Sequence, residues 1–131
     1  MEFVAVLVAT VASFAFGAVY YGALSKPWME ASGVPLGDDG KPQNSSSPLP
    51  YLVSFICILL VAGMMRHSFA LSGIDTVGKG FVSGLGIGLF FIAPWIFLNT
   101  GYSVRPWKLA VIDSGYAVAT GAICGTVLTL F

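Results

Sequence analysis

Four long stretches of the chain carry no charge, and short polar segments separate them. Positions 3–25, 43–65, 80–104 and 114–131 contain no Asp, Glu, Lys or Arg. A helix crossing about 30 Å of hydrocarbon needs roughly 20 such residues. Backbone in lipid can satisfy its own hydrogen bonds only in helices or in closed barrels. Barrel strands alternate apolar and polar positions, whereas these runs are continuously apolar. The pattern predicts helices over about 3–24, 51–71, 81–99 and 109–130, with a polar loop at 25–50. The fold class is therefore all-α: a single transmembrane domain, 1–131, built as an integral membrane four-helix bundle.

The ends of the runs refine this. The first run has Glu2 ahead of it rather than Lys or Arg, and it ends in Tyr20 and Tyr21 rather than a small-residue cleavage site, so it reads as a retained helix. In the loop, Pro27 suits the first turn of a short interfacial helix that Gly33 would stop. Asp38, Asp39 and Gly40 read as a solvated turn, and Ser45, Ser46 and Ser47 as a flexible run. Asn44, Ser45 and Ser46 match a glycosylation acceptor. Four spans put both termini on one side. Lys26, Lys41, Arg105 and Lys108 fall in the first and third loops, against Arg66 and Lys79 around the second. Positive charge gathers on the cytoplasmic side, so the expectation is termini outside the cytoplasm.

Composition agrees. The chain is 56% hydrophobic and 9% charged, with six basic and six acidic residues. A soluble domain carries about 25% charged residues. There is too little basic charge for nucleic acid. The bilayer is the implied partner, together with a homo-oligomer or a larger membrane complex.

The first and third exits share a pattern. Gly22, Lys26, Pro27 and Trp28 match Gly101, Arg105, Pro106 and Trp107 at an offset of 79. A duplicated helical hairpin would produce this. So would convergence, because Pro ends a helix, a basic side chain snorkels to headgroups and Trp sits in the interfacial belt. Lys26, Trp28, Arg105 and Trp107 are the expected interface anchors.

Phe16, Gly17, Ala18, Val19, Tyr20, Tyr21 and Gly22, followed by Lys26, Pro27, Trp28 and Gly33, resemble the start of the domain of unknown function 1761. Val111, Ile112, Asp113, Ser114, Gly115 and Tyr116 resemble its late segment. The resemblance covers nearly the whole chain. It implies a small bacterial protein of the cytoplasmic (inner) membrane with four helices, and it implies no activity.

Helices in lipid associate through close backbone approach. Gly80, Gly84 and Gly88 form one stripe, Ala117, Gly121 and Gly125 another, and Ala5, Ala9, Ser13 and Gly17 a third. Each can face another helix of the same chain or a second copy. Phe14, Phe16, Phe81, Phe90, Phe91 and Phe97 read as lipid-facing or core bulk. Pro94 should kink its helix or leave a carbonyl free.

Chemistry is sparse. An ionisable group within a span is a functional candidate by default, and Asp113 is one. It lies about 6 Å inside Leu109 at 1.5 Å per residue. A structural carboxylate would pair with Arg105 or Lys108, or cap a neighbouring helix exit; a functional one would hold a proton or a cation. Tyr20, Tyr21, Asn99, Tyr102 and Tyr116 should lie near the same membrane face and could line a polar vestibule with it. At the opposite face, Arg66, His67, Asp75 and Lys79 read as solvated helix ends. Cys57 and Cys124 read as small hydrophobes. No phosphate loop, nucleophile elbow or zinc pattern is present, so neither an enzyme nor a cofactor is expected. Two functions follow as expectations: an accessory subunit or small oligomer acting by association, or a small dimeric transporter or channel using Asp113 as its coupling carboxylate.

Overall fold

A computed structural model describes residues 2–43 and 46–131. It contains five helices: α1 (Glu2–Ala23), α2 (Ser25–Ser32), α3 (Leu49–Ser72), α4 (Val77–Tyr102) and α5 (Trp107–Leu130). All except α2 are long and apolar enough to cross a membrane. The chain is a multi-pass membrane protein. The acceptor at Asn44 and Ser45 lies outside the described residues.

Local signals set the helix ends. Gly33 and Gly73 close α2 and α3 in the left-handed conformation, at φ 65 and 68, where a Cβ would be strained. Thr76 caps α4 by accepting from Lys79 N at 3.2 Å. The turn at Asp38 to Gly40 forms, with Asp39 Oδ1 accepting from Lys41 N at 3.0 Å.

The last helix is the centre of the bundle. Half of the apolar stretch of α5 is buried, against 28% for α1 and 17% each for α3 and α4. Its residues explain why. Small side chains occupy two of its faces, so two helices can approach its backbone. On one face Ala117, Gly121 and Gly125 meet Gly88, Gly84 and Gly80 of α4. A Cβ built at Gly84 would strike the Gly121 carbonyl, and one at Gly121 would strike the Gly84 carbonyl. On another face Cys124 and Leu128 join Ala5 and Ala9 of α1 and Ala62, Met65 and Phe69 of α3 in the buried core. Ser13 Oγ lies 3.1 Å from Cys124 Sγ. The third stripe thus also turns inward. Phe81, Phe90 and Phe91 face outward.

The order of contact is α3, α1, α5, α4. The outer helix α3 packs along α1 and meets α5 near Arg66, but it does not pack against α4. A groove follows, floored by α1 and α5 and walled by α3 and α4.

Beyond the inner end of the groove, Arg66 ties α3 to α5. Its guanidinium donates to the Leu128 carbonyl at 3.0 Å and lies 3.8 Å from the exposed Glu2 carboxylate. A cation at the last carbonyls of α5 complements the helix dipole. Arg66→Met should therefore cost about 1–2 kcal/mol. Glu2→Gln should cost less than about 0.5 kcal/mol, as exposed pairs do. Thermal unfolding in detergent checks both, and equal losses would contradict the assignment.

Pro94 acts on the turn before it. Residues Ile87–Ile92 form a π-helical segment inside α4, with Ala93 N bonded to Gly88 O. A proline ring clashes with the carbonyl of the fourth residue before it, here Phe90, and the wider turn removes that clash. The turn also inserts one residue into the helical phase. The buried stripe runs Gly80, Gly84, Gly88 and then Ala93 and Thr100, not through 92 and 99.

The two copies of the exit pattern fold differently. Lys26 and Pro27 lie inside α2, whereas Arg105 and Pro106 lie in the turn before α5, which carries Val104 at φ 57.

Candidate functional site

The residues at the end of α1 and the start of α5 are shaped to meet. Gly17 on α1 receives the Tyr116 ring, since a Cβ there would lie 2.7 Å from Tyr116 Oη. Gly115 on α5 receives the Tyr20 hydroxyl, 2.5 Å from where its Cβ would be. Each helix offers a notch and fills the other's. Both tyrosines end on backbone carbonyls of the opposite helix: Tyr20 Oη donates to Ile112 O at 2.6 Å and Tyr116 Oη to Ser13 O at 3.3 Å.

Tyr21 follows Tyr20 and is turned about 100° away around the helix. Its hydroxyl donates to Asp113 Oδ1 at 2.7 Å. The chain then breaks at Leu24 and restarts as α2, which brings Trp28 back over the same point. Trp28 Nε1 donates to the same Asp113 oxygen at 3.2 Å. The rings form a continuous cluster. Tyr21 lies 5.2 Å from Tyr116 at 63° and 6.1 Å from Trp28 at 77°, and Phe16 stacks on Tyr116 at 6.1 Å.

Asp113, Tyr21, Trp28 and Tyr116 border a cavity of about 1000 Å³, which is the upper part of the groove. Apolar side chains such as Phe14, Ile58, Val61, Ile92 and Ile96 make up most of its wall, with Ser54, Cys57 and Thr120 among them. A cavity of this size is at the top of the usual range for small-molecule sites, about 300–1,000 Å³.

Asp113 forms no ion pair with Arg105 or Lys108, and its bonds reach instead to side chains at the exit of α1 and on α2. Among the described residues, the ion pairs are Arg66 with Glu2 and Lys79 with Asp75. Arg105 and Lys108 are exposed and not bonded to it. Two neutral donors on a single oxygen hold the carboxylate, and the Arg105 charge acts on it from beyond ion-pair distance. Among the described residues no group of three His, Cys, Asp or Glu side chains could hold a metal.

The structure brings together Asp113, Tyr21 and Tyr116 at the cavity, with Tyr20 behind them against both tyrosine rings. It does not bring Asn99 or Tyr102, which are exposed on α4. The π segment has rotated them off the buried stripe. Trp28, expected as an interface anchor, is half-buried at the site. Trp107 is exposed and stacks on Phe97 at 6.1 Å, and Lys26 is exposed. Nothing in the spacing alone reported Trp28. Pro27 signalled a short helix after α1, but not that this helix folds back over Asp113.

The geometry defines a class: a helical multi-pass membrane protein with a half-buried acidic site at the mouth of an apolar groove. The family described as Protein of unknown function (DUF1761) matches residues 4–129, and the chain belongs to it. No curated protein and no solved structure matches it.

Proposed function

We propose that this protein is a small non-enzymatic transport protein in which Asp113 couples movement of a ligand to that of a proton or cation. One observation carries the reading. The Asp113 carboxylate, inside a span, borders a ligand-sized groove, held by Tyr21 and Trp28 and, among the described residues, in ion-pair contact with no basic side chain. An ionic group at such depth is costly and marks ion pathways. The reading by association has less to draw on. The glycine and alanine stripes that motivated it are occupied within the chain. The setting in this reading is a bacterial inner membrane, as a dimer or larger assembly.

The test uses proteoliposomes loaded with an acidic lumen and a pH-sensitive dye. Outside addition of sodium, potassium or tetraphenylphosphonium is expected to drive proton efflux for at least one of them, above protein-free liposomes. Efflux equal to the protein-free control for all three would refute the transport reading.

A further inference from the structure

Resting on that reading of the same groove, we infer that its ligand is a lipophilic organic cation, one positive charge on an apolar body, entering sideways between α3 and α4. Three features select this chemistry. The charge partner is an anion that, among the described residues, has no basic side chain bonded to it, Arg105 acting on it only from a distance, in a chain where 9% of residues are charged. An anionic ligand of the same shape is repelled by it, and a neutral one forgoes the charge attraction.

The rings beside the carboxylate select the kind of cation. Tyr21, Trp28 and Tyr116 meet at steep angles, 77° and 63°, so they form walls and not a stack. Aromatic faces attract organic cations, and do so most strongly where water is excluded. A metal ion needs several strong ligands at once, and among the described residues no three His, Cys, Asp or Glu side chains come together to supply them. The remaining cavity, about 1000 Å³ and mainly hydrocarbon-lined, takes the apolar body.

The route follows from the packing. The groove is covered on one side by α2 and the loop at Pro42, and ends on the other at the core formed by Ala62, Met65, Cys124 and Leu128. The remaining side is the gap between α3 and α4, which are not packed together. That side faces the hydrocarbon, where a lipophilic cation already concentrates.

Equilibrium dialysis of the detergent-solubilised full chain against tetraphenylphosphonium, with empty micelles as blank, tests the class. Tetraphenylborate, matched in shape and opposite in charge, is the comparison. The expected result is saturable binding of the cation and none of the anion. Asp113→Asn should weaken it at least tenfold. Trp28→Leu should weaken it fivefold to thirtyfold, the range of a desolvated cation–π contact, while Trp28→Phe, which keeps a ring, stays within about threefold of the native chain. The tryptophan pair keeps the test valid if the aspartate variant fails to fold. Equal binding of cation and anion, or equal losses in Trp28→Leu and Trp28→Phe, overturns the inference. Charge-selective binding without coupled flux would uphold the ligand class and remove the transport reading. Coupled sodium or potassium flux without such binding would do the reverse.

Discussion

Gly84→Leu is expected to dismantle the bundle. The site offers no room: a Cβ at this position would run into the backbone of Gly121 and approach that of Gly125. Overpacking costs about 1–3 kcal/mol when neighbouring side chains can give way. Here backbone is in the way, so α4 and α5 must separate along a contact that also includes Gly80 with Gly125 and Gly88 with Ala117. Lipid supplies no hydrophobic drive to restore the contact. The loss should reach or exceed about 3 kcal/mol, the top of that range. Gly86→Leu is the control, because nothing lies within 4 Å of its Cβ direction. That variant should remain within about 1 kcal/mol of the native chain, with better helix propensity partly offsetting any local cost. Thermal unfolding in detergent, read with size-exclusion profiles, separates the two. Similar behaviour of both variants would show that the glycine contact does not hold the bundle.

Asp113→Asn should abolish coupled flux while leaving the fold intact. Asparagine keeps an oxygen for Tyr21 Oη and Trp28 Nε1 to donate to. What it removes is the ability to carry a charge and release a proton. Charge is costly at this depth, so neutralising it works against the loss of charge-assisted hydrogen bonds. Single hydrogen bonds within membrane proteins are worth only about 0.6 kcal/mol on average. The net change in stability should lie within about 1 kcal/mol. Flux measured beside the native chain in the same liposomes decides it. Full activity in a folded Asp113→Asn protein would take the carboxylate out of the mechanism.

The long apolar runs were readable because lipid imposes a simple rule, and the observed helices begin and end within a few residues of the predicted spans. The small-residue stripes were readable for a similar reason: helical spacing places Gly80, Gly84 and Gly88 on one line. Asn99 and Tyr102 were expected beside Asp113 from their depth near one membrane face, and depth does not fix rotation about the helix. The π segment before Pro94 adds a residue to the phase, and Ala93 and Thr100 are buried while Asn99 and Tyr102 are exposed. Pro94 was visible, but the form of its distortion was not. Asp113 was conspicuous as an ion in a span. Its partners were not, because Trp28 depends on how α2 turns back and Tyr21 on how α1 is rotated against α5. Those are set by the Gly17 and Gly115 notches, which have meaning only once the two helices are side by side.

The central place of α5 has a consequence for biogenesis. Ribosomes deliver the spans in sequence, and the one that the other three touch follows all three. Until it arrives, α4 lacks its glycine partner, and α1 and α3 have only each other. The α1–α3 contact can form early, whereas α4 gains its main contact only once α5 has entered. Quality-control proteases that recognise unassembled membrane segments have their window before that entry, and a nascent chain halted ahead of α5 would present them with all three orphaned spans at once.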